Sequence, residues 1–187
     1  MTRPPRPARI AFFDAYALPG GASIALRDLV ARIDRDCFEP IALLPRRGSL
    51  AEMLEAVDCP VEVAEPPPPL GAFGRRLIEA GPSAKLQAGL ALARYIWTVA
   101  CWLRTNEVDL LHCNQTRAAF QAGPGGKLAG IPVVWNVRIR ERLPRLVVRF
   151  VDDCSDLVIP LTEHAFAGLP DEVHLRGRSL VLRNAVD

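Results

Sequence analysis

Three stretches of this 187-residue chain carry side chains and backbone suited to gripping an anion or a polar ligand. In "YALPGGAS", Gly20 and Gly21 stand between an apolar run and a helical pattern. Unobstructed backbone N–H groups at the positive end of a helix suit a phosphate; an ordinary turn is the other reading of the pair. The pattern is not G-x-G-x-x-G, so it is not a dinucleotide fingerprint. In "DLLHCNQ", His112 and Asn114 lie two residues apart, on one face of a strand. A His at a strand end is either packed in the core or aimed at a ligand. Gln115 and Thr116 keep the loop polar, which fits a cleft and a solvated loop equally. In "WNVRIRERLPRLVVR", Arg138, Arg140, Arg142, Arg145 and Arg149 are opposed only by Glu141. Arg138 stands near a strand end, where a guanidinium can hold phosphate or carboxylate with two parallel hydrogen bonds. Arg142, Arg145 and Arg149 read equally as a solvated helix face in an arginine-rich chain.

Other chemistry is not supported. "GPGGKL" (123–128) resembles a phosphate loop, but it follows no strand, and Leu128 stands where Ser or Thr would bind magnesium. His164 and His174 have no partner pattern, and no Ser-His-Asp or Cys-His set is spaced for nucleophilic catalysis. The five cysteines (37, 59, 101, 113 and 154) include no C-x-x-C pair and form no cluster with His. They read as reduced core thiols, with neither a disulfide framework nor a metal site expected.

Elements must bring those three stretches together. Half of the residues are hydrophobic and 24% are charged, the balance of a globular chain long enough to bury roughly 70% of its unfolded surface. The net charge is only +2, so bulk charge does not suggest nucleic acid. Lys85 and Lys127 are the only lysines, so arginine abundance reflects coding bias as much as contacts. The amino-terminal apolar run ends at Asp14, too soon for a signal peptide.

Short apolar runs alternate with amphipathic segments. Strands are expected at 9–15, 38–45, 59–65, 108–114, 131–139, 156–162 and 179–187. Helices are expected at 22–34, 48–57, 84–105, 116–129, near 143–154 and near 163–168. Ser49 and Glu52 have capping-box spacing, and Pro124 should interrupt the fifth strand's preceding helix. "PPPPLGAFG" opens a loop, partly polyproline II, with one or two helical turns. Helix 84–105 carries Arg94 and Arg104, so it is a buried helix and not a membrane span. The alternation predicts one α/β domain, Rossmann-like and doubly wound, on a mainly parallel sheet of about seven strands. Ligands of such sheets sit beyond the carboxyl ends of the strands. The loops at 16–23, 113–115, 136–142 and 162–164 are the ones that matter.

"RIAFFDAYALPGGASIALRDLVARI", "FEPIALLPRRGSLAEML", "VDLLHCNQ", "LAGIPVVWNVRI", "DLVIPLTEHA" and "VLRNAVD", in that order, resemble the amino-terminal domain of family 4 glycosyltransferases. The resemblance implies one half of a GT-B fold, with residues 1–187 as the acceptor-binding domain and the nucleotide-sugar domain, absent from this chain, beyond it. It implies that Gly20 and Gly21 approach the distal phosphate of the donor. It places His112, Asn114, Asn136, Arg138, Thr162 and Glu163 in the acceptor cleft and makes Asn184 a hinge residue. Trp135-Asn136-Val137-Arg138 is similar to the family's W-H-V-R form, with Asn136 in place of His and Ile139 in place of the usual acid. Ala185 replaces a glycine, and Ser23 stands where Glu is common.

The expected function is retaining sugar transfer from a nucleotide-sugar to a glycan, lipid-linked or small-molecule acceptor, with this half inactive alone. Catalysis would rest on positioning and on stabilising the leaving diphosphate, with no general base, metal or cofactor assigned. The expected location is cytoplasmic, at the inner face of the membrane where the acceptor is lipid-linked. Two further readings stand beside this one: a stand-alone binding module for a phosphorylated ligand or protein, and a peripheral element whose helix 84–105 and arginine run rest on anionic lipid.

Overall fold

The computed structural model describes residues 6–16, 20–71, 81–140, 143–169 and 177–183. Six strands are β1 (Ala8–Phe13), β2 (Phe38–Leu44), β3 (Val61–Val63), β4 (Leu110–Asn114), β5 (Val133–Val137) and β6 (Leu157–Pro160). They form one parallel sheet in the order β3-β2-β1-β4-β5-β6. The connecting helices are α1 (Gly21–Ala31), α2 (Ser49–Glu55), α3 (Pro68–Gly71), α4 (Pro82–Thr105), α5 (Thr116–Ala129), α6 (Arg145–Asp153) and α7 (Glu163–Phe166).

The near-continuous apolar strands follow from coverage of both faces. Ala11, Phe13, Leu111, Cys113, Val133 and Trp135 pack with Tyr95, Val99 and Leu103 of α4 and Ala118, Ala119 and Ala122 of α5. Phe12, Ala42 and Leu44 pack oppositely, with Leu26 and Val30 of α1 and Leu50 and Leu54 of α2. All five cysteines are free thiols. Among the described residues no helix is long and apolar enough to cross a membrane.

Three expectations change. The seventh strand is reduced to an extended segment along the outer edge of β6. Val158 donates to Arg178 O at 2.8 Å, and Leu180 and Leu182 donate to Val158 O and Pro160 O at 3.0 and 3.1 Å. Only Ser179 pairs with Val158 as a bridge, and residues 184–187 lie outside the described residues. Second, α5 runs unbroken through Pro124. A proline inside a helix costs ~3 kcal/mol, and the packing of this helix overrides it. A Cβ on Gly126 would lie 2.5 Å from Val133 Cγ2, and one on Gly125 would lie 2.9 Å from Val99 Cγ1. The glycines of "GPGGKL" therefore let α5 sit flush against the sheet and α4. Third, Gly48, not Ser49, caps α2, and no side chain completes a capping box. The proline-rich loop closes into the single turn of α3, and residues 72–80 lie outside the described residues.

Candidate functional site

β1 has β2 on one side and β4 on the other. From β1 the chain turns into α1 on one face, and from β4 it turns into α5 on the opposite face. In parallel sheets, ligands sit at the carboxyl edge between two such diverging connections.

A buried chain of hydrogen bonds runs across that edge. Asp14 directly follows β1 and is fully buried. Its Oδ1 accepts from the Tyr16 N–H at 2.7 Å, the two-residue turn that an aspartate forms with its own backbone. Its Oδ2 accepts from Asn114 Nδ2 at 2.5 Å, and the same amide lies 3.4 Å from Ala22 O in the first turn of α1. Asn114 Oδ1 accepts from Arg138 Nε at 2.6 Å. Two carbonyl-type acceptors on one side and a guanidinium on the other fix which end of the Asn114 amide faces which neighbour. One residue from each of three adjacent strand ends is thereby joined to α1.

The polar requirements of the cluster are not all met. Arg138 Nη1, His112 Nδ1 and Asn136 Oδ1 are buried without a hydrogen-bond partner among the described residues. His112 packs its ring 5.3 Å from that of Phe12. Asn136 is the register partner of Asn114 on β5. Burial pushes the Asp14 carboxyl up to about 6, against the lowering effect of its hydrogen bonds and of Arg138. Burial, and then the Arg138 charge, push His112 down to about 4, so it is a neutral imidazole at physiological pH. Burial also lowers Arg138 from its ordinary value, partly offset by Asp14. At the rim, the Arg117 guanidinium stands 5.1 Å from the centre of the Tyr16 ring.

Gly20 is the N-cap of α1, with an extended backbone (φ −173°) that any residue adopts, and Gly21 begins the helix. A Cβ on either would meet no described atom within 4 Å. Neither turn geometry nor internal packing therefore demands the pair. Among the described residues the space around both positions is open.

The structure thus brings Asn114 and Arg138 into direct contact, with His112 and Asn136 beside them on the same strands. Thr162 and Glu163 lie at the same sheet edge, beyond β6, and are exposed. Thr162 Oγ1 caps α7 by accepting from the Ala165 N–H at 3.0 Å. Asn184 and Ala185, with Glu141, Arg142 and His174, lie outside the described residues. Asp14 and Tyr16 were not among the candidates. The available signal was an acid placed immediately after a buried apolar strand, at the ligand edge of a parallel sheet.

This strand order and this edge define a Rossmann-like α/β domain matching one half of a GT-B fold. The particular relatives in structure follow. HepE from Anabaena, in complex with UDP, aligns with a TM-score of 0.66 at 20% identity, over 96% of this chain and 44% of HepE. A glycosyltransferase from Rickettsia africae aligns with a TM-score of 0.66 at 10% identity, over 97% of this chain and 44% of that one. A UDP-N-acetylglucosamine 2-epimerase aligns at 0.61 and 14% identity, over 95% and 48%. The chain spans less than half the length of each of these structures. No protein-family model matches it, and comparison with curated protein sequences gives no match.

Proposed function

We propose that this chain is the amino-terminal, acceptor-side half of a retaining glycosyltransferase that uses a nucleotide-sugar donor. One observation carries the reading: unpartnered buried polar atoms of Asn136 and Arg138 lie at the carboxyl end of β5, and that of His112 lies on the same face deeper in β4. Buried polar groups are paired in nearly all folded proteins, so such a group at a crevice is a contact in waiting. The structural neighbours support it, since HepE is described in complex with UDP and with UDP-glucose. In this reading, neutral His112 and Asn136 hydrogen-bond a polar acceptor, and Arg138 takes an anionic group. The N–H groups at Gly20 and Gly21 face the donor's distal phosphate, stabilising the charge that develops on the leaving diphosphate. Thr162 and Glu163 border the acceptor side, Asn184 serves as the hinge, and no metal or cofactor takes part. A second domain supplies the nucleotide site.

The test is to express the whole reading frame containing this chain and assay it with nucleotide-sugars. Transfer to an acceptor with retained anomeric configuration is expected. Turnover without transfer would favour epimerase chemistry, the activity named for one structural neighbour. No turnover with any donor would leave a stand-alone module for a phosphorylated ligand.

The outer side of α4 favours peripheral contact with anionic lipid as an addition to this reading. Leu86, Leu90 and Trp97 are 66%, 61% and 58% exposed, and Lys85, Arg94 and Arg104 are the only charges of the helix. A helix of this kind, itself without acids although Glu65 lies beside Leu90 and Arg94, suits a membrane interface, such as the cytoplasmic face where a lipid-linked acceptor would be met. Co-sedimentation with anionic but not neutral vesicles is expected, and its absence removes the membrane contact.

A further inference from the structure

We propose that Asp14 is a positioning residue, which acts through Asn114 to aim the free edge of the Arg138 guanidinium at an anionic group of the ligand. The inference rests on the reading above only in taking this sheet edge as a ligand cleft.

An ionised carboxylate only accepts. Asp14 therefore faces the NH2 end of the Asn114 amide, at 2.5 Å, and Ala22 O faces the same end. The carbonyl end is left for Arg138, and it takes Nε at 2.6 Å. With Nε held, the guanidinium cannot turn that edge away, and Nη1 remains buried and unpartnered. Asp14 itself is fully buried. Its effect passes through Asn114, which is also fully buried.

Charge alone predicts the opposite role. A negative carboxylate near Arg138 weakens the local pull on an anion, so its removal should tighten anion binding. Positioning predicts that removal weakens it. With Asp14 protonated on Oδ2, that oxygen no longer accepts from Asn114 Nδ2, so only Ala22 O and Arg138 Nε hold the amide in its present sense, and a flipped amide would present NH2 to the guanidinium. The two roles thus differ in sign.

The ligand chemistry is a phosphate or carboxylate group, bound by a guanidinium edge. Sulfate is the probe, because its charge is constant across the useful range. Among the described residues, the charged and titratable groups of the cluster are Asp14, His112 and Arg138, with Tyr16 and Arg117 at its rim, and the first turn of α1 adds no acid.

Sulfate affinity of the 187-residue chain is measured by titration calorimetry between about pH 8 and pH 5. Wild-type affinity is expected to fall as Asp14 takes up its proton, roughly tenfold in all, the scale of one hydrogen bond to a charged group. Asp14→Asn should start at that weakened level and show no pH dependence. Arg138→Lys should abolish the site. Affinity that is flat or rises on acidification, or tighter binding by a folded Asp14→Asn, overturns the proposal. Because the wild-type profile decides alone, a variant that fails to fold does not rescue it. Free phosphate and the phosphates of UDP, titrated in parallel, separate a general anion site from one that needs the nucleotide. Glycosyl transfer is measured in neither arm, so the proposal stands or falls apart from that activity.

Discussion

Asn114 and Asn136 are register partners on adjacent parallel strands, and only the first has its carbonyl oxygen satisfied. The pair separates support from contact. Asn114→Ala strips Asp14 of a donor and Arg138 Nε of its acceptor, and should cost about 2–4 kcal/mol. Asn136→Ala removes an oxygen that has no partner, and should change stability by less than about 0.5 kcal/mol while weakening acceptor use. Urea unfolding of both variants checks the contrast; equal losses would mean that Asn136 is structural.

Gly21→Ala tests the open space before α1. No described atom lies within 4 Å of the added Cβ, and alanine suits a helix better than glycine. Stability should stay level or rise by up to ~1 kcal/mol. Nucleotide-sugar turnover by the whole protein should fall at least tenfold, because the methyl group occupies the approach to the backbone N–H groups. Unchanged turnover would return Gly20 and Gly21 to being a plain turn.

Gly126→Ala makes the opposite prediction. Its Cβ would fall 2.5 Å from Val133 Cγ2 and 3.1 Å from Leu111 Cδ2. Forcing α5 off the sheet should cost about 1–3 kcal/mol, seen as a lower Tm. Phosphate binding should not change, since this glycine packs and does not cradle.

Asp14 and His112 give opposing pH dependences. The Asp14 carboxyl is raised from 3.8 to about 6, so the folded state holds its proton more tightly than the unfolded chain. Its contribution is therefore lost as pH rises from about 4 to about 6. His112 is lowered from 6.5 to about 4, so the unfolded chain takes up the proton first. Its contribution is lost as pH falls through the same window. The two slopes largely cancel in the wild type. Relative to it, His112→Gln should lose stability as pH rises from about 4 to 6, and Asp14→Asn should gain it, each by up to about 1.4 kcal/mol per pH unit. Unfolding series at several pH values measure this, and variants that parallel the wild type would refute it.

The strands were legible because each is a short, nearly unbroken apolar run, and α1 because Leu26 and Val30 repeat at helical spacing. Both are local signals that burial on two faces imposes. What stayed hidden depends on distant neighbours. Asp14 read as the residue that ends an apolar run, and nothing nearby announces Asn114 as its partner. Pro124 read as a break because its cost is local, while the packing at Gly125 and Gly126 that outweighs it comes from Val99 and Val133. Ser49 had the right spacing for a cap, yet the helix starts one residue earlier than that role needs. The last expected strand has the composition for its role, but among the described residues it meets the sheet only along β6.

The bond between Asp14 and Asn114 joins residues 100 positions apart. At synthesis rates of about 5–20 residues per second, β1 waits roughly 5–20 s for β4 to emerge. During that interval β1, β2, α1 and α2 can already close their own apolar cluster, with one edge of β1 still open to any passing strand. The hydrogen-bonded chain of Asp14, Asn114 and Arg138 thus cannot form until β4 and β5 have emerged. A nascent chain with residues 1–63 clear of the ribosome and β4 still inside it would display a folded-looking fragment with no site at all.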